Sequence, residues 1–127
     1  QFLTNVVKKR STAFLISDFI DSHDYFKSMS IANRKHDLAG IQIYDRRDAE
    51  MPDVGLVRLR DMETGADIWV DTSSAKVRKK YAKDWYERQQ KLASVVNRCG
   101  VDMASITTDE DFVKALLGLF RRRAIAR

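Results

Sequence analysis

Cysteine, proline and glycine are all scarce here: one Cys, one Pro and five Gly among 127 residues. The lone cysteine, Cys99, can form no internal disulfide. That excludes a disulfide-stapled secreted scaffold and points to a reducing, cytoplasmic setting for this stretch of chain. The glycines are scattered and make no phosphate-cradling loop. No apolar run reaches the roughly 18 residues a membrane span needs, so no membrane segment is read. The opening, "QFLTNVVKKR", lacks an apolar core followed by a small-residue cleavage site, and it is not a signal peptide. His23 and His36 stand far from any cysteine or acidic pair at ligand spacing, which argues against zinc.

Charge is plentiful, with a net value of +5. The densest basic spots are Lys8-Lys9-Arg10, Arg78-Lys79-Lys80 and Arg121-Arg122-Arg123, each within or at the end of an expected helix, where cations suit the C-terminal dipole. No aromatic-interleaved basic motif accompanies them, so no nucleic-acid partner is expected. A chain of this length fits a single domain over residues 1–127 and can bury about two-thirds of its unfolded surface.

The apolar pattern predicts a mixed α/β fold. Residues 12–17, "TAFLIS", form a short continuous apolar run of the kind buried on both faces of a parallel sheet. Asp21 or Ser22 can cap a helix running to about Arg34, with Tyr25, Met29 and Ala32 on its inner stripe. Leu38 to Tyr44 reads as a second buried strand, completing a strand–helix–strand unit. "GLVRLRDMETGADIWVD" alternates instead, with Val57 and Leu59 set against Arg58 and Arg60, and Glu63-Thr64-Gly65 as the turn: an inserted β-hairpin.

Asp71 to Ser74 offer N-caps for a helix of about 25 residues, whose stripe includes Val77, Tyr81, Trp85, Leu92, Val96 and Cys99 and which Gly100 would end. "VDMASITT" is a third strand. Thr108 with Asp111 resembles a capping box for a last helix, whose inner face is expected to carry Phe112, Val113, Leu116, Leu117 and Phe120. Trp69 and Trp85 are expected to pack in the core or cover an edge, and His36 to pack or hydrogen-bond.

Open parallel sheets bind ligands beyond the carboxyl ends of their strands. The residues read at those ends are Ser17 and Asp18, then Asp45, then Thr107 and Thr108. A carboxylate with hydroxyls is the ligand chemistry of a hard cation such as Mg²⁺, with Asp18 and Ser17 as the metal candidates and Asp45, Thr107 and Thr108 as rim contacts. The bland alternative is that polar residues simply end strands and cap helices. A metal-dependent phosphohydrolase or phosphoacceptor using Asp18 is the enzymatic alternative, but no convincing second carboxylate or lysine stands beside it, and catalysis has no positive support.

Several motifs together resemble one family: "FLISDF", "HDLAGIQIYDRRDAEMPDVGLVRLRDMETGADIWVDTS" and "GVDMASITTDEDFVKALLGLFRRR", in order from about residue 8 to Arg123. They are similar to the C-terminal half of the bacterial domain of unknown function fifty-eight, von Willebrand factor A-like proteins often encoded beside MoxR-type AAA+ ATPases. The resemblance implies a Rossmann-like parallel sheet flanked by helices, and a non-enzymatic protein-interaction module. It would cooperate with such an ATPase in assembly or maturation of client proteins. It also implies a rim metal site in the intact domain, to which Asp18 would contribute, the Asp-x-Ser-x-Ser loop lying upstream. On that reading the chain is a fragment whose 12–17 strand becomes an exposed edge. Pairing with a second copy, cover from the N-terminal helix, or aggregation would hide it.

Overall fold

The computed structural model describes residues 2–19, 25–61 and 64–126. It is a mixed α/β structure whose elements follow the sequence order α1 (Phe2–Val6), β1 (Thr12–Ser17), α2 (Phe26–Lys35), β2 (Asp37–Tyr44), α3 (Arg46–Ala49), β3 (Leu56–Arg60), β4 (Asp67–Asp71), α4 (Ala75–Cys99), β5 (Asp102–Thr107) and α5 (Phe112–Ala126). The described chain falls into two compact units, one made of residues 1–44 and 91–127, the other of residues 45–90.

The first unit holds a parallel three-stranded sheet in the order β1-β2-β5. Its register aligns Ser17 with Gln42 and Gln42 with Ser105, and Tyr44 with Thr107. Alternation sends Leu38, Gly40 and Gln42 to one face and Ala39, Ile41 and Ile43 to the other. On the first face Leu38 packs with Met29 of α2 and with Val96, Cys99 and Val101 at the end of α4 and just beyond it. On the second, Ile41, Ala104 and Ile106 pack against Leu119, Ala115 and Leu116 of α5. Helices thus flank both faces of a parallel sheet, because such strands are apolar on both sides.

The strands lie where the apolar runs place them. Met29 is buried and Tyr25 and Ala32 pack beside it, as the stripe requires. The proposed caps Asp21 and Ser22, and His23, lie outside the described residues. Cys99 is a buried free thiol within 3.3 Å of the Ser30 hydroxyl and donating to the Phe26 carbonyl. His36 is buried, and its Nδ1 accepts the Ser11 amide at 3.0 Å. α1 packs on α2.

Two expectations for α5 are corrected. Its inward face is Ala115, Leu116 and Leu119, with Leu119 fully buried, whereas Phe112, Val113, Leu117 and Phe120 are exposed. The helix is apolar nearly all round, so spacing alone does not choose the face that meets the sheet. The N-cap is Asp111, which accepts the Val113 amide at 3.0 Å. Thr108 takes no part in that cap; its amide donates to Tyr44 O at 3.0 Å.

The second unit pairs β3 and β4 antiparallel, with Val57 opposite Val70 and Arg58 opposite Trp69. Gly65 adopts a φ of 71°, the left-handed conformation its turn requires. Thr72, buried, ties this unit together. Its hydroxyl accepts the Val54 amide at 2.9 Å and donates to the Gly55 carbonyl, while Arg78 donates to the Thr72 carbonyl at 2.6 Å. Trp69 is exposed, which corrects its expected packing role: the hairpin turns that side of β4 to solvent.

Candidate functional site

The carboxyl ends of β1 and β5 lie at one edge of the first unit, because the strands run parallel. Ser17 closes β1, and its hydroxyl accepts the Phe19 amide at 3.1 Å. Phe19 itself takes a left-handed φ of 56°, unusual for a bulky residue, so this small hydroxyl cap holds a tight turn in place. Asp18 sits within the turn, and its carbonyl accepts from the Gln42 side-chain amide at 3.3 Å.

Gln42 is the polar pivot that the apolar pattern hid. It is 1% exposed at the centre of the sheet, and its Oε1 accepts the Ser105 hydroxyl at 2.9 Å while its Nε2 reaches the β1 turn. One side chain therefore joins Ser105, in its own register row on β5, to the turn just after β1, with both ends of its amide paired. The only signal in the sequence is one glutamine inside a run of aliphatic residues.

After β5 the chain turns through Thr107 to Asp111. The Thr107 amide donates to the Glu110 carboxylate, and the Glu110 amide to the Thr107 carbonyl. Asp45 belongs to the second unit, where its carboxylate accepts the Arg47 amide at 2.8 Å and its own amide donates to Asp48 at 3.0 Å, a reciprocal cap on α3. The bland alternative explains this residue. Tyr81, in the same unit, donates its hydroxyl to the Arg47 carbonyl at 2.8 Å. Burial, with the Asp48 charge nearby, pushes its phenol above the ordinary range.

A divalent cation needs several converging oxygen ligands. The Ser17 hydroxyl is already engaged, and among the described residues no three His, Cys, Asp or Glu side chains come together as a metal cluster. Among the described residues, the converging carboxylates that a magnesium site would use beside Ser17 are not brought together.

The same end of the sheet, on the α5 face, carries apolar surface. A groove of about 360 Å³ is lined by Ile16, Ile41, Ile43, Thr107, Phe112 and Leu116. Ile16 is 61% and Phe112 59% exposed. Beside it, Val113, Leu117 and Phe120 recur at helical spacing along the outward side of α5, so the groove continues into an uncovered apolar strip. At the opposite end of the sheet Arg123 closes the structure. Its side chain, 11% exposed, pairs with Asp37 and reaches Asp102 at 3.2 Å, clamping the starts of β2 and β5 to the end of α5. No spacing in the sequence announces that clamp.

The family model "Protein of unknown function DUF58" matches residues 1–91. Among curated proteins, the chain is 28% identical over 116 residues to the uncharacterized protein MAV169 of Mycobacterium avium, covering 91% of the chain and 68% of that protein. It is 28% identical over 124 residues to the uncharacterized proteins Mb1516 of Mycobacterium bovis and Rv1480 of Mycobacterium tuberculosis, covering 94% of the chain. The chain spans only 38% of the length of these two relatives. No solved structure matches it. Among the described residues, no helix is long and apolar enough to cross a membrane.

Proposed function

The chain belongs to the DUF58 family, and from that premise we propose that it is a non-enzymatic protein-interaction module that works with a MoxR-type AAA+ ATPase in assembly or maturation of client proteins. The observation that carries this reading is the uncovered apolar strip of α5, Val113, Leu117 and Phe120, beside the groove around Phe112. Contiguous exposed apolar surface is costly in water, and a helix side of this composition is the usual seat of a protein partner. The ATPase is named on the strength of the motif resemblance, and cytoplasmic placement follows from such a partner.

The mechanism needs only burial. A partner that covers two or three of these side chains gains about 1.5–3 kcal/mol for each one fully buried, before the cost of association is subtracted. The expected complex is therefore of moderate affinity and can be released by a nucleotide-driven motor. A pull-down of the purified cognate ATPase by this chain tests the reading. Leu117→Asp should weaken capture at least tenfold, and Asp18→Ala or chelation by EDTA should leave it unchanged. Full capture by Leu117→Asp, with the fold intact by circular dichroism, would remove the α5 strip from the mechanism. Stable incorporation of phosphate at Asp18 from a small phosphodonor would return the enzymatic alternative.

A further inference from the structure

α4 starts against its own electrostatics. The positive end of a helix dipole lies at the N-terminus, where acidic side chains stabilise and cations do not. Yet the first turn of α4 holds no acidic residue, and Lys76, Lys79, Lys80 and Lys83 all fall near its start. All four are exposed. At about 3.6 residues per turn they lie within roughly 100° of arc and extend about 10 Å along the axis. Lys76 and Lys80, like Lys79 and Lys83, are neighbours of one sign a turn apart, a pairing that destabilises a helix.

This repulsion goes largely unrelieved. Among the described residues, Lys83 alone of the four has a carboxylate within ion-pair distance, that of Glu87 at 3.9 Å. Arg78 is engaged elsewhere, donating to the Thr72 carbonyl at 2.6 Å and pairing with Asp53 at 3.5 Å. The apolar stripe of Val77, Tyr81 and Trp85 lies on the other side of the helix and is half-buried, so the lysine face brings no apolar anchor for a bilayer. Residues 45–90 carry as many acidic as basic side chains, and the unit as a whole has no net attraction for a polyanion such as nucleic acid. The attraction is confined to one short face. Ammonium groups are not laid under apolar chain, because desolvating them without a counter-charge is too costly. Whatever covers this face is therefore acidic and of matching length.

We propose that Lys76, Lys79, Lys80 and Lys83 form a docking face for an acidic helix of a partner protein, one whose carboxylates recur at three- and four-residue spacing along one side. Such a helix laid beside α4 sets a carboxylate against each ammonium group, and its charge also meets the positive end of the α4 dipole. Lysine suits the task, since its flexible stem lets each ammonium find a carboxylate without a fixed bidentate geometry. Repulsion among the lysines in the free chain is relieved on binding, which makes the face selective for negative charge. This inference goes beyond the ATPase reading and does not depend on it: it concerns residues 45–90 and not the outward strip of α5, so either can fail alone.

The experiment is fluorescence anisotropy on the 127-residue chain, with a labelled helical peptide carrying glutamates at i, i+3, i+4 and i+7 as the probe. The unaltered chain should bind it, and salt at about 1 M, where the Debye length falls to about 3 Å, should abolish binding. The double variant Lys79→Glu with Lys80→Glu should lose at least tenfold in affinity and yet melt at a higher temperature, since it removes like-charge pairs and puts acids near the helix start. Lower affinity with raised stability separates docking from a merely structural role. Lys114→Gln, on α5, should change neither. A peptide of the same composition with its glutamates spread round the helix should bind at least tenfold more weakly. No binding by the unaltered chain, equal affinity in the double variant, or equal affinity for the spread peptide would overturn the proposal. Tighter binding of phosphatidylserine vesicles or duplex DNA than of the peptide would overturn it too, and assign the face to a membrane or a nucleic acid.

Discussion

β1 and β5 are the two edge strands of one sheet, and they are built on opposite principles. β5 is tied down at both ends: Asp102 meets Arg123 at its start, and the Glu110 carboxylate takes the Thr107 amide at its end. Its Ala104 and Ile106 are buried under α5, and its exposed Ser105 is engaged by Gln42. β1 has the apolar composition of an interior strand, but Phe14, Leu15 and Ile16 stand partly in solvent. The comparison shows that the β5 side of the sheet is finished, whereas β1 leaves apolar side chains partly uncovered among the described residues.

The largest expected effect tests the finished side. Leu119→Ala should destabilise the fold by about 2–5 kcal/mol in denaturant unfolding, because it empties a fully buried site between α5 and β5. Leu117→Ala, two residues away on the outward side, should cost less than about 1 kcal/mol. Equal losses would erase the distinction between the two sides of α5. Next comes Arg123→Ala, which strips the counter-charge from Asp37 and Asp102. A loss of about 2 kcal/mol is expected, below the full value for a buried pair because Asp102 is half-exposed.

Gln42→Leu touches both edges at once, since it removes the bond to the Asp18 carbonyl and the bond from Ser105. A cost of about 1–2 kcal/mol should be measured, with faster amide exchange at the β1 turn. The smallest effect lies in the other unit and serves as a control. The Tyr81 phenol is raised in the folded state, so the folded chain holds its proton at pH values where the unfolded chain has lost it. That contribution is complete below the unfolded value, near pH 10, and declines as pH rises through the folded value. Tyr81→Phe should flatten the alkaline loss of stability and leave the behaviour of both sheet edges unchanged; an unaltered alkaline profile would remove Tyr81 as its source.

The strands were legible because continuous aliphatic runs bounded by polar residues have few other solutions. "TAFLIS" and the run from Leu38 to Tyr44 are β1 and β2 nearly to the residue. The helix ending before Gly100 was equally plain, since Gly100 takes the positive φ that ends it. The face of α5 was not legible, because Phe112, Val113, Leu116, Leu117, Leu119 and Phe120 surround the helix, and only tertiary packing decides among them. Polar side chains that work across long separations were also hidden. Arg123 finds Asp37 and Asp102 through the fold, and Gln42 finds Ser105 across a strand pair, so no local pattern encodes either contact. Of the rim residues, Ser17 ends β1 as read and Thr107 ends β5. Asp45 caps α3, the ordinary local role of an aspartate that precedes a helix.

Amide hydrogen exchange measured along Thr12–Ser17 and Asp102–Thr107 tests the contrast between the two strands most directly. β5, tied at both ends, should stay protected while the amides of β1 exchange faster. Equal protection of the two strands would contradict the account.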